Sequence, residues 1–271
     1  MTDMTDTEFF GNADQRALLH RAANLWSVLK DDPRFCCYGR SVSVDWNPRT
    51  SLQLLIALAR LQGASSCGVV PTEQQQAFTD GLESAGLTTD WFENWTGTDS
   101  ALTRARQILA QRSLPDDLEL VFVDRDTPAD DLQALAKLTE NCGVLLPMGR
   151  FMRGLEHPAV CVYVRDRSGR PVCCSAAVDL FHPASDNAGL TWWGMLATDT
   201  TRRGQGLAQL RGARSMLTMN DRFGTTTYFT GIRADNAPSK ALCTKLGLTR
   251  GDSNVIVGID PDTFGSSRVT K

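Results

Sequence analysis

The residues with the clearest chemical potential run from Arg202 to Ala208, Arg-Arg-Gly-Gln-Gly-Leu-Ala, with Arg211 and Arg214 following at helical spacing. Gly204 and Gly206 stand where a helical pattern begins, although glycine disfavours helix. Glycine there lets the backbone approach an anion with no Cβ in the way. The first N–H groups of a helix have no internal partner, and the helix dipole adds positive potential. The arginines add donors that match phosphate oxygens. The segment therefore predicts a site for a phosphate-bearing ligand. A P-loop is excluded, because Gly206 is followed by Leu207 and Ala208 rather than Lys and Ser/Thr. A dinucleotide turn G-x-G-x-x-G/A fails at Gln209, and the flanking hairpins supply no βαβ start.

The elements around this loop follow from periodicity and punctuation. Residues 118–124 (LELVFVD) read as a strand, 128–143 as a helix opened by acidic residues, and 147–156 as a short helix. Three strands follow, AVCVYVRD, RPVCCSAAVDLF and GLTWWGMLAT, the first two joined by a turn at 167–170. After the glycine loop come a helix to about Asn220, the strand TTTYFTGIRA, the helix PSKALCTKLG and the strand NVIVGID. This predicts an α+β fold with a mixed sheet. Upstream, helices are expected over 12–30, 51–62, 71–86 and 100–112, with strands at 39–46 and 67–70 and a loop from Trp91 to Thr98. Pro115 marks a boundary, giving domains at 1–115 and 116–262 and a tail at 263–271.

Arg203-Gly204-Gln205-Gly206-Leu207-Ala208 resembles the R/Q-x-x-G-x-G/A motif of the GCN5-related N-acetyltransferases. Asp235 to Leu248, DNAPSKALCTKLGL, is similar to that family's N-x-x-S/A-x-x-L-Y-x-K-x-G-F segment, with Asn236, Ser239, Leu242, Lys245 and Gly247 in register. The two motifs occur in the family's order, separated by one helix and one strand. The resemblance covers about residues 118–262 and implies this fold for the C-terminal half, with acetyl-CoA or another acyl-CoA as co-substrate. It implies that Arg202, Arg203, Gly204, Gln205, Gly206, Leu207 and Ala208 cradle the pyrophosphate. Leu196, Ala197 and Thr198 would pair with the pantetheine arm, in a slot where their strand splays from the next. Asn236 and Ser239 would lie beside it. The implied reaction is direct attack of an amine on the thioester, aided by a backbone N–H on the splayed strand, a base and an acid.

The chain departs from the family at the acid and the base. The family's tyrosine falls at Cys243, so Cys243 and Tyr228 are the candidate acids. The strand GLTWWGMLAT holds no carboxylate; Asp179 and His182 are the candidate bases, with Glu156 and His157 as further groups near the acceptor. Trp192 and Trp193 point to opposite faces of their strand, one into the core and the other toward the acceptor. Arg211, Arg214 and Arg222 have an alternative reading as a solvated helix face.

The N-terminal half echoes the second. SVSVDWNPRTSLQLLIALARL follows the strand–turn–helix order of the glycine-loop segment, and CGVVPTEQQQAFTDGLESAGL that of TGIRADNAPSKALCTKLGL. The glycine loop and the asparagine are missing, so this half reads as a degenerate copy without a CoA site or as an unrelated mixed domain.

The chain of 271 residues carries a formal charge of -3, which argues against general nucleic-acid binding. It has three histidines and eight cysteines with no C-x-x-C spacing, so no metal is expected. An acidic N-terminus and the absence of long apolar runs point to a cytoplasmic protein with no membrane partner. The acceptor is a small-molecule or protein amine. An acyl-CoA-binding regulatory or scaffold module without catalysis is the alternative.

Overall fold

The computed structural model describes residues 8–265 and 268–270. In chain order the elements are α1 (Ala13–Leu29), β1 (Phe35–Cys36), β2 (Ser43–Val44), α2 (Ser51–Gln62), β3 (Ala64–Pro71), α3 (Gln75–Ser84), β4 (Thr88–Gly97) and α4 (Asp99–Gln111). They continue as β5 (Leu118–Val123), α5 (Ala129–Asn141), α6 (Gly149–Met152), β6 (Ala159–Asp166), β7 (Pro171–Asp179), β8 (Leu190–Thr198), α7 (Leu207–Phe223), β9 (Thr227–Ile232), α8 (Ala237–Lys245) and β10 (Thr249–Ile259). All strands join one ten-stranded mixed sheet in the order β1-β2-β3-β10-β4-β9-β8-β7-β6-β5.

That order has an internal symmetry. The run β2-α2-β3-α3-β4 repeats as β8-α7-β9-α8-β10. Within each run the first two strands pair in parallel, β2 with β3 and β8 with β9. The third strand crosses to the other run: β10 pairs antiparallel with β3, and β4 antiparallel with β9. The exchanged strands pair with each other at the centre, from Thr249↔Thr96 to Ile259↔Thr88. The sheet is therefore continuous across Pro115.

The expected loop from Trp91 to Thr98 is instead most of β4, the strand between β9 and β10. Its sequence, TTDWFENWTG, mixes acidic and aromatic residues and lacks clean alternation. Asp90 and Glu93 are tolerated in mid-sheet because each meets a cation: Asp90 pairs with Arg233 and Glu93 with Lys240.

The core is divided by the sheet. Trp193, Tyr228, Leu210, Ala213 and Met216 pack with Ala101 and Ala105 of α4. A larger cluster holds Trp192, Met195 and Phe229 together with residues of α1, α2 and α5. Gly212 lets α7 lie close on the sheet: a Cβ there would come within 2.7 Å of the Trp193 ring. Trp193 is held in place by Nε1 donating to Ser215 Oγ at 2.9 Å. Buried Glu8 and Arg153 form an ion pair at 2.6 Å that ties the N-terminal segment to the end of α6.

Candidate active site

The glycine loop forms as its sequence dictates. Asp199 accepts from the Thr201 N–H at 2.9 Å and closes a short 3-10 turn over Thr200–Arg202. Gly204 and Gly206 then take φ of +79° and +77°, which L side chains rarely adopt. Among the described residues, the N–H groups from Gly204 to Gln209 meet no backbone carbonyl. They open on a cleft of about 570 Å³ lined by Arg202, Arg203, Gly204, Gly206, Leu207 and Ala208, with Leu196, Thr198 and Lys245 across from them. Arg202 pairs with Asp117, whereas Arg203 and Lys245 have no acidic partner among the described residues. Arg112, from the end of α4, also lines this cleft and reaches Gln209 at 3.4 Å. Sequence reasoning missed Arg112 because it lies far from the loop in the chain.

The corresponding turn of the first run is built differently. At the start of α2 the Thr50 and Ser51 N–H groups already donate to the Asn47 carbonyl, at 3.3 and 3.1 Å. The Ser51 hydroxyl accepts from the Asn47 N–H at 2.7 Å and donates to the Asp45 carbonyl at 3.0 Å. The turn is tight and engages its own first donors, so fewer N–H groups remain than at the glycine loop.

From the cleft, a slot leads through the sheet. β8 and β9 pair only from Leu190↔Thr227 to Trp192↔Phe229, and beyond Trp192 they part. On its other side β8 keeps pairing with β7, with a register shift between Cys174↔Ala197 and Ala176↔Gly194. Met195 and Leu196 lie in this bulge, and Met195 is the sole non-glycine described with positive φ, at 56°. A bulge of this kind re-aims the backbone toward the slot. Leu196 lines both the cleft and a second pocket of about 260 Å³. That pocket is lined from β8, β9 and α8 by Trp192, Gly194, Phe229, Asn236, Ser239 and Cys243, and from the first half by Tyr38, Arg40, Asp90 and Phe92. Tyr38 stacks on Trp192 with centroids 4.5 Å apart. Asp90 and Arg233 form a two-point ion pair at 2.5 and 2.7 Å.

Searches with the sequence match no protein-family profile and no curated protein. Comparison of the structure with solved ones does find matches. A GCN5-related N-acetyltransferase from Kribbella flavida matches over 90% of this chain and 95% of its own, with a TM-score of 0.53 at 15% identity. A GCN5-related N-acetyltransferase-like protein from Streptococcus suis matches over 83% of each chain, with a TM-score of 0.54 at 16% identity. A tandem protein of the same fold from the clavulanic acid biosynthesis pathway matches over 80% of this chain and 74% of its own, with a TM-score of 0.53 at 14% identity. The fold is that of the GCN5-related N-acetyltransferases.

Within this acetyltransferase fold the expected site residues separate into two groups. Leu196, Thr198, Arg202, Arg203, Gly204, Gly206, Leu207 and Ala208 line the cleft. Gln205 is exposed on the loop, and Ala197 is buried where β8 pairs with β7. Asn236 and Ser239 line the second pocket, and Asn236 Oδ1 also caps α8 by accepting from the Ser239 N–H at 3.1 Å. Cys243 lines the same pocket and is buried, which pushes its thiol up to about 12.

The other candidates lie elsewhere. Tyr228 faces α7, and its hydroxyl donates to the carbonyls of Met216 and Thr225 at 2.8 and 3.0 Å, so it does not reach the slot. Asp179 is at the end of β7, half-buried, with Oδ1 unpartnered and its carboxyl raised by desolvation; it does not line the acceptor-side pocket. His182 turns back on its own loop, where Nδ1 accepts from the Ala184 N–H at 3.0 Å. Glu156 pairs with Arg150 and accepts from Trp26 Nε1. His157 is packed between Trp26 and Phe151, and burial lowers its pKa. Arg211, read as part of a solvated face, is 3% exposed, and desolvation lowers its pKa to about 10. Trp193 takes the core position and Trp192 the pocket wall.

Among the described residues, no group of three or more His, Cys, Asp and Glu is placed to hold a metal, and no helix is long and apolar enough to cross a membrane.

Proposed function

We propose that the protein is an acyl-CoA-dependent N-acyltransferase that moves an acetyl group from acetyl-CoA to an amine. The observation that carries this reading is the parting of β8 from β9 after Trp192, at a bulge, between a cleft rich in N–H donors and a second pocket. The free N–H groups of Gly204 to Gln209, with Arg203 and Arg112, hold the pyrophosphate. The open edge of β8 at Leu196 to Thr198 receives the pantetheine arm. An N–H of the bulge at Met195 and Leu196 polarises the thioester carbonyl.

In the pocket, the neutral amine attacks the carbonyl carbon and a C–N bond forms. The C–S bond breaks as the oxyanion collapses, and the nitrogen loses its extra proton to solvent. Cys243 gives its thiol proton to the departing thiolate and is reprotonated from solvent. At about 12 the thiol stays protonated at working pH but is a weaker acid than a free thiol of about 8.5, so it donates only as water resupplies its proton. The only carboxylate lining the pocket among the described residues, Asp90, is engaged by Arg233. No side chain is thus free there to act as base, and the amine is deprotonated through water.

That engaged Asp90 also favours a second reading, an acyl-CoA-binding module without turnover. Calorimetry with acetyl-CoA, followed by a thiol-release assay over a panel of amines, tests both. Binding with amine-dependent thiol release is expected. Binding without release for any amine would leave the module, and no binding would refute both.

A further inference from the structure

The acceptor-side pocket holds a charge that nothing in it answers. Three charged side chains line it among the described residues: Arg40, Asp90 and Arg233. Asp90 and Arg233 neutralise each other through two hydrogen bonds. Among the described residues Arg40 forms no ion pair, and its Nε and Nη2 are buried without a hydrogen-bond partner. A buried guanidinium nitrogen with no acceptor is costly, and an anionic ligand in the pocket would supply one. The group is also held in place. Its Cζ lies 5.3 Å from the Tyr38 ring centroid and 5.6 Å from that of Trp192, which orients the guanidinium plane beside the stack.

The position of Arg40 relates it to the reaction. The Trp192 indole lies alongside Gly194, where a Cβ would come within 3.2 Å of its Cζ2. Gly194 directly precedes the bulge at Met195. The cation therefore borders the part of the slot where the amine must stand. A pocket with one surplus positive charge and no free carboxylate repels polycations and accepts an anion. Most of the remaining lining surface is apolar, with Phe92, Phe229, Val255 and Val257, and the hydroxyls of Ser41 and Thr230 are interspersed.

We propose that the acceptor is an amino acid with an apolar side chain, whose carboxylate is held by Arg40 while its amine faces the thioester. This rests on reading that pocket as the acceptor site. Arg40 is a specificity-determining residue here: it selects the anion beside the amine and takes no proton.

The test compares L-phenylalanine with phenethylamine, which differs from it only by lacking the carboxylate. Calorimetry without acetyl-CoA measures the binding of each to the full chain. Steady-state thiol release then gives kcat/KM for each. L-phenylalanine is expected to exceed phenethylamine by about 30-fold or more in both, the scale of a buried hydrogen-bonded charge pair. In Arg40→Met that ratio falls toward one, through KM rather than kcat, and Arg40→Lys recovers part of it. Acetyl-CoA affinity, measured on the same variants, certifies that they are folded.

Equal binding of the two ligands, preference for the amine, or no binding of either overturns the proposal. So does a preference that survives Arg40→Met. If L-phenylalanine binds through Arg40 but no thiol is released, the acyltransferase reading fails while the carboxylate site stands.

Discussion

Gly206→Ala isolates the donor loop from the stability of the fold, because the same helix supplies its own control. Gly206 and Gly224 flank α7 and have nearly the same backbone, φ of +77° and +73°. Placing an L side chain in that region costs about 1–2 kcal/mol at either end. Around Gly224 nothing lies within 4 Å of an added Cβ; at Gly206 the neighbours are the terminal atoms of Arg112, a flexible side chain that swings aside. The two alanine variants should therefore lose similar stability in urea unfolding. Their binding should differ. At Gly206 the methyl group stands at the mouth of the free N–H groups and displaces Arg112. Loss of one charge-assisted hydrogen bond costs about 1.5–3 kcal/mol. That weakens acetyl-CoA binding by about 10- to 150-fold in calorimetry. Gly224→Ala should bind acetyl-CoA as the unaltered protein does. Equal acetyl-CoA affinity in the two variants would refute the placement of the pyrophosphate.

Cys243→Ala should lower kcat by about 100-fold or more and leave acetyl-CoA affinity intact. With the thiol near 12, the unaltered protein should show no alkaline loss of kcat below about pH 10; a loss near the free-thiol range would count against Cys243. His157 has a folded pKa lowered by burial, so its contribution to stability is complete above the unfolded value of about 6.5. It fades as pH falls from there through the folded value, so the urea midpoint should drop between pH 7.5 and 5.5. His157→Gln should flatten that drop, and an unchanged slope would show that another group is responsible. In Gly212→Ala, helix propensity gains about 1 kcal/mol, while crowding against the fixed Trp193 ring costs about 1–3 kcal/mol. A lower melting temperature is expected; a higher one would mean that Trp193 moves freely.

The glycine-loop cleft was legible because backbone conformation carries it. Paired glycines, arginines and a helix start lie within one short stretch, and their function needs only local geometry. Asn236 stands out only through the second motif, as a residue beside the pantetheine arm, and its helix cap emerges with the structure. The second pocket was not legible, because its lining converges from distant segments. Tyr38 and Arg40 precede β2, Asp90 is in β4, and nothing near them in sequence points to the slot. Strand β4 itself was missed because its charged residues are paired in mid-sheet, which removed the alternation that marks a strand. Alternation also fixes which residues share a face but not which face meets solvent or helix. The sequence offers Tyr228 as a substitute acid and Asp179 as a base because β8 holds no carboxylate, whereas Trp192 and Phe229 occupy the pocket side and Tyr228 lies under α7.

The crossing of β4 and β10 also governs how the chain comes together. Each run completes its sheet with a strand that the other run synthesises, so neither reaches its final pairing alone. Ile259 finds Ala64, and Thr249 finds Thr96, across most of the chain length. Such non-local closure slows folding, and it makes the halves melt as one cooperative transition. A break in the backbone near Pro115 would still leave two fragments clasped by reciprocal strands. The pocket beside Trp192, lined from both sides of that clasp, then exists only once the last strand has been laid in place.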